Sequence, residues 1–343
     1  MKDSGKNEYG TFPITINENV SDKGGKEKRL KKKNIYESFY EKSKLLLLFM
    51  TWYTLNIMYN VDNKIALNET KLPWFISSLQ LFVGWIFISM YWLTGYKKIP
   101  RIYAYDLFFK NISIQSVCHI LVHFGAVISI SSTSVSFTHV VKACEPVFTA
   151  VLSMVFLNQF FRIQKYLSLL IIVSGVICAS VKEIHFSWIA FICATISNFG
   201  SSMRSVYAKK MMIYKSSIGE NLTGPNIYAL ITIFSALISL PFVIILEGPQ
   251  IYDFFIKQSD STKYTFKQIL TKMFLSGVWY YLNNEMAYLC LEKINQVTHA
   301  VANSIKRIVI IVSSIIIFQT PVTTLGAVGS AVAVMGAFLY SAF

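Results

Sequence analysis

Residues 136–157 read SFTHVVKACEPVFTAVLSMVFL, a run with the length and apolarity of a membrane crossing that nevertheless sets His139, Lys142 and Glu145 about a turn apart. Crossing about 30 Å of hydrocarbon at 1.5 Å per residue takes roughly 20 residues. Working outward from 137–157, nine further runs of comparable character lie at 44–60, 73–95, 111–132, 165–181, 186–208, 226–246, 268–291, 298–318 and 323–342. The 343-residue chain is 54% hydrophobic and only 15% charged, with a mean hydropathy of +0.48, outside the balance of soluble domains. The expected fold is therefore all-α: a polytopic membrane protein with ten transmembrane helices.

Lysine and arginine are concentrated before the first span and after the second, fourth and sixth, for example Lys97, Lys98, Arg101, Lys110, Arg162, Lys165, Lys209, Lys210 and Lys215. Ten spans with both termini cytosolic satisfy the positive-inside rule. The net charge of +14 is then mostly topogenic, with attraction to anionic lipid. It calls for no nucleic acid and no obligate protein partner. Residues 1–43 are polar, lysine-rich and dotted with acids, the composition of a disordered cytosolic tail, and contain no apolar signal-peptide core. The five cysteines lie within spans without CxxC spacing and read as small buried residues. No HExxH, GxSxG or Walker motif is present, so neither an enzyme nor a cofactor or metal site is expected.

Thr138–His139 in the fourth span recurs as Thr298–His299 in the ninth, and VSGVICAS at 173–180 resembles VMGAFLYS at 334–341. Two five-helix halves follow, about 44–181 and 186–343 within a 44–343 transporter domain. Five spans separate span four from span nine, an odd number, so the halves are inverted in the membrane, as in secondary transporters with a site near the midplane.

Four cations lie inside spans: Lys142, Arg204, Lys306 and Arg307. Each costs about 2.5–3.5 kcal/mol at mid-helix, on the order of 10–14 kcal/mol together. Snorkelling to the headgroups accommodates a basic residue near a helix end, which fits Arg204 better than Lys306. Pairing with Glu145, three residues after Lys142 and so on one helix face, and with Glu285 leaves about two positive charges over. A buried surplus of two suits a dianion such as phosphate or a phosphate monoester. His299, Asn303 and Lys306 recur at i, i+4, i+7 and share a face, with Arg307 about 100° further round. His139 and Lys142 form the matching stripe in the other half, and His123 in the third span is placed to join them. Asn56, Asn60 and Asn63 also recur at i, i+4, i+7, as helix-to-helix hydrogen bonders.

The motifs SFTHVVKACEP (136–146), SNFGSSMRSVYAKK (197–210), THAVANSIKR (298–307) and WYTLNIMYNVDNK (52–64) together resemble the plastid phosphate translocators of the drug/metabolite transporter superfamily, nearest to their apicoplast outer-membrane members. The resemblance covers residue 50 to the C-terminus. It implies ten helices and exchange of inorganic phosphate for phosphorylated C3 compounds (triose phosphate, 3-phosphoglycerate or phosphoenolpyruvate) across a plastid membrane, the outermost. It implies that Lys142, Lys306 and Arg307 hold the phosphate and that His123 and Arg204 face the carbon end. His139, Glu145, Asn283, His299 and Asn303 are expected in supporting roles. Ala126 and Asn283 stand where the triose phosphate pattern has Thr and Tyr, which weakens selection for a substrate hydroxyl and eases acceptance of phosphoenolpyruvate. A nucleotide-sugar antiporter of the same superfamily is the alternative.

Overall fold

The computed structural model describes the backbone of residues 19–343 apart from 159, 182, 185, 258–262 and 294–295; side chains are described from residue 43, except 157, 206, 208–210, 212, 213, 215, 291–293 and 296–301. Eleven helices make up nearly all of it: α1 (Asn19–Thr70), α2 (Pro73–Leu93), α3 (Tyr105–Ser132), α4 (Val135–Lys142), α5 (Glu145–Leu157), α6 (Ile163–Val181), α7 (Trp188–Ile218), α8 (Gly224–Lys257), α9 (Phe266–Lys293), α10 (Gln296–Phe318) and α11 (Thr324–Ala342). The chain divides at Leu47 into an N-terminal unit and a helical bundle of residues 48–343. Residues 1–18 of the tail lie outside the described residues. From Asn19 the backbone is helical, where composition led to an expectation of disorder; the stretch contains no proline and is rich in Lys, a good helix former.

Among the described residues six segments are long and apolar enough to cross a membrane: Pro73–Leu93, Tyr105–Ser132, Val135–Phe156, Ile163–Val181, Gly224–Lys257 and Thr324–Ala342. The other expected spans fall on α1, α7, α9 and α10, which carry Asp62 and Lys64, Arg204, Lys272 and Glu285, and Lys306 and Arg307.

The expected fourth span is two helices. Pro146 is the second residue of α5 and has no N–H to give the Lys142 carbonyl one turn back. The chain tightens there through Ala143 N–H to Val140 O (3.0 Å) and Cys144 N–H to Val141 O (3.1 Å), so Lys142 and Glu145 flank a break. Other helix ends in the bundle are closed by charged side chains. Lys64 Nζ donates to the carbonyls of Ile130 (2.7 Å) and Thr133 (2.8 Å) at the end of α3. Glu247 of α8 accepts from the N–H groups of Trp74 (3.1 Å) and Phe75 (2.7 Å) at the start of α2. Both match the sign of the helix dipole.

Small residues let neighbouring backbones approach. On the α6–α11 contact, a Cβ added to Gly175 would lie 2.3 Å from Ala333 N, and one on Gly329 2.5 Å from Ala179 N. On α3–α7, Gly125 faces Cys193 O in the same way, at 2.7 Å. Outside the helices, β1 (Arg101–Ile102) and β2 (Gly219–Glu220) pair antiparallel, Arg101 opposite Glu220, tying the loop after α2 to the end of α7. Nothing in the sequence pattern marks these two-residue strands.

Because neither neighbour of Gly175 is a side chain that can rotate away, Gly175→Val is expected to destabilise the bundle by at least the ~1–3 kcal/mol of core overpacking. Thermal denaturation of purified protein measures it, and Leu167→Val, on an exposed position of the same helix, is the control that should be nearly neutral.

Candidate functional site

A cavity of about 510 Å³ opens among α1, α3, α4, α5, α7, α9 and α10. Its wall brings together Lys142, Arg204, Lys306, Arg307, His123, His139, Glu145, Asn283 and Asn303, nine of the ten residues singled out from sequence. The tenth, His299, lies on α10, but its side chain is outside the described residues.

Breaking the fourth span sets up the cationic wall. Arg307 donates through Nη1 to the Lys142 carbonyl that Pro146 leaves free, and through Nη2 to the Glu145 carboxylate. The expected Lys142–Glu145 partnership on one helix face is therefore corrected: Arg307 takes the carboxylate. Glu145 also accepts from Ser201 Oγ. Lys142 Nζ turns instead to Ser197 Oγ at 2.5 Å, whose hydroxyl donates on to Val122 O at 2.7 Å. Asn198 Nδ2 satisfies a further carbonyl at the end of α4, that of Val141, at 2.9 Å. Lys306 Nζ lies 4.4 Å from the centre of the Trp52 ring, a cation–π contact.

Glu285 does not help to neutralise this wall. It binds Lys97, from the loop after α2, and the ammonium of Lys97 also sits 4.3 Å over the Tyr91 ring. Among the described residues lining the cavity, four cations therefore face one carboxylate. By formal charge the surplus is three rather than two.

The asparagine stripe of α1 both joins helices and lines the cavity. His139 Nε2 is 3.1 Å from Asn60 Oδ1. Asn60 Nδ2 donates to Asn56 Oδ1 (3.0 Å) and Asn56 Nδ2 to Asn283 Oδ1 (2.8 Å). The amides thus point one way, and His139 must donate into the chain because a carbonyl oxygen can only accept. Asn63 is purely structural, accepting from Gln80 Nε2 at 2.8 Å. His123 Nε2 is 3.1 Å from Ser77 O and donates to it for the same reason.

Sequence reading passed over His119, Tyr280 and Tyr288, which lie on the cavity wall together with Trp52 and Tyr59 of the 52–64 motif. Single aromatics and a lone His on apolar helices carry no signal that separates cavity from core. Ala126 and Asn283, the two departures from the triose phosphate pattern, also line the cavity, and Tyr280 places a phenol one turn from Asn283. Among the described residues no group of His, Cys, Asp and Glu has the arrangement of a metal site.

An all-helical, multi-span bundle enclosing a cationic cavity near a broken helix has the build of a secondary solute transporter. The Triose-phosphate Transporter family profile matches residues 43–341, and the chain belongs to that family. It is 36% identical over 301 residues to glucose-6-phosphate/phosphate translocator 1, chloroplastic, of Arabidopsis thaliana, covering 88% of this chain and 75% of that one. It is 36% identical over 293 residues to the chloroplastic triose phosphate/phosphate translocator of Spinacia oleracea, covering 85% and 70%. A solved crystal structure superposes with a TM-score of 0.50 at 10% identity, over 85% of this chain and 97% of that one, a likeness of fold alone.

Glu145→Gln removes the charge opposite Arg307 in a largely buried pair, side chains 22% and 12% exposed. The expected cost is about 3–5 kcal/mol, seen as a lowered melting temperature of the purified protein. An unchanged melting temperature would show that Arg307 finds compensation elsewhere.

Proposed function

We propose that the protein is an antiporter exchanging inorganic phosphate for phosphorylated C3 compounds across a plastid membrane. The observation that carries this is the convergence of Lys142, Lys306, Arg307 and Arg204 on one cavity of about 510 Å³, a volume suited to a small metabolite. Lys142, Lys306 and Arg307 hold the phosphate, the lysines as compact charges and Arg307 with the N–H groups not spent on the Lys142 carbonyl and Glu145. His123 and Arg204 face the carbon end, with His139, Asn283, Asn303 and Glu145 supporting. Three surplus positive charges exceed the two of a phosphate dianion and leave one for a carboxylate, which favours 3-phosphoglycerate or phosphoenolpyruvate. The names of the chloroplast relatives, which pair phosphate with triose phosphate or glucose 6-phosphate, support the exchange.

Transport proceeds by alternating access of two inverted five-helix repeats, with α4 and α5 counted together as one broken span of ten. Supporting this, α4 packs against α10, and α6 against α11, the pairs that the repeat makes equivalent. The empty cavity, with its cations unscreened, resists crossing, so exchange is favoured over one-way flow. The Lys/Arg distribution supports a topology with both termini on the cytosolic side. The resemblance to apicoplast members supports a place in the outermost membrane of that plastid.

Liposomes containing the purified protein and loaded with phosphate should take up labelled phosphate, while unloaded ones should not; equal uptake would defeat the antiport reading. A competition series with triose phosphate, 3-phosphoglycerate, phosphoenolpyruvate, glucose 6-phosphate and UMP ranks the substrates, and inhibition by UMP alone would point to a nucleotide-sugar exchanger. Lys306→Ala should weaken apparent phosphate affinity about ten- to hundredfold, the worth of a hydrogen bond to a charged group, with membrane insertion unimpaired because a buried charge is removed.

A further inference from the structure

Beside the cation wall the cavity holds a second polar constellation, built on His119. This residue lies one turn before His123 on α3 and is 1% exposed. Arg204 Nη1 is 2.8 Å from His119 Nδ1. A guanidinium has hydrogens to give and no acceptor, so Nδ1 is the lone-pair nitrogen, and the neutral ring carries its proton on Nε2. That nitrogen is 3.3 Å from Tyr280 Oη, and the phenol oxygen therefore accepts. The Tyr280 ring has little freedom to turn away: it stacks on His123 at 4.0 Å, and His123 is held by Ser77 O. Tyr228 meets the His119 ring edge-on at 5.9 Å.

With Tyr280 Oη accepting from His119, the phenol still has its own hydrogen to donate. Among the described residues no protein acceptor takes it, and Tyr280 lines the cavity. Arg204 likewise uses one N–H on His119 and lines the same cavity with the rest of its fork. Both groups thus present hydrogens, and His119 fixes both: it orients Arg204 and obliges Tyr280 to be a donor.

We propose that Tyr280 is a substrate-selecting donor and His119 the positioning residue behind it, the two forming with Arg204 a subsite for an acceptor oxygen on the carbon end of the substrate, best satisfied by a carboxylate. The proposal rests on the phosphate/C3-phosphate reading above. Arg204 was singled out by its charge; His119 and Tyr280 are additions. The subsite favours a carboxylate because two donors on one side leave a substrate hydroxyl only its lone pairs to use, whereas a carboxylate oxygen accepts both, one of the bonds being charge-assisted.

Binding is the direct test, because it can be read even if exchange in liposomes fails. Full-length protein in detergent is titrated with inorganic phosphate and, separately, with 3-phosphoglycerate, and thermal stabilisation gives an apparent Kd for each. In Tyr280→Phe and in His119→Ala the Kd for 3-phosphoglycerate should rise about tenfold more than the Kd for phosphate. His119→Gln, whose amide can accept from Arg204 and donate to Tyr280, should recover most of that selectivity. Equal changes in the two Kd values, or a His119→Gln variant no better than His119→Ala, would overturn the assignment. If His119→Ala does not fold, Tyr280→Phe, which removes a single oxygen, decides. Failure of the wild type to exchange phosphate would count against the transport reading, while the ratio of Kd values still judges the subsite.

Discussion

The missing N–H of Pro146 is the constraint on which the site depends. Without it the Lys142 carbonyl has no partner in its own helix, and an unpaired carbonyl inside a bundle costs free energy comparable to a lost hydrogen bond. Arg307, a residue that is itself expensive to bury, supplies the partner. Two liabilities thus offset each other. The same guanidinium also holds Glu145 at the N-terminus of α5, where a carboxylate suits the helix dipole. This one contact joins α4, α5 and α10 around the cavity and fixes where the cations lie.

A second layer of order comes from hydrogen bonds that run in one direction. From His139 through Asn60 and Asn56 to Asn283, each amide accepts from the group before it and donates to the next. Around His119 the direction is set by Arg204. Chains of this kind polarise their members, and they leave little doubt about which face of each group is spent on the protein and which is offered to the cavity. Helix ends are treated in the same manner, with Lys64 and Glu247 each placed on the terminus that matches its charge.

Much of this was legible in the sequence because a charge in an apolar run is a local anomaly. Lys142, Arg204, Lys306 and Arg307 announced themselves by cost, and the i, i+4, i+7 spacing of His299, Asn303 and Lys306 gave the face of the ninth span. Partnerships were harder, since they are made over long sequence separations. Glu285 could be paired on paper with any cation in the bundle, and only the fold shows Lys97 reaching it across 188 positions. The break at Ala143–Cys144 did have a local signal, Glu-Pro in mid-span, but hydropathy alone passes over it. His119 and Tyr280 gave none: 15% of the chain is aromatic, so one tyrosine more on an apolar helix carries no information. The length of α1 and the β1–β2 pairing were likewise beyond hydropathy, the first being a matter of helix propensity in a polar segment and the second of two strands too short to show alternation.

The glycine contacts between α6 and α11 bear on how such a bundle can change shape. Side-chain interfaces slide because rotamers adjust, but here Gly175 meets the backbone of Ala333 and Gly329 that of Ala179. Shifting one helix along the other would drive a methyl group into main chain, so the pair behaves as a single strut. Flexing is then left to joints that lack such interlocks, among them the α4–α5 break, where a backbone hydrogen bond has already been given up. Lys142 and Glu145 border that joint and line the cavity, so any bending there would move the cavity wall with it.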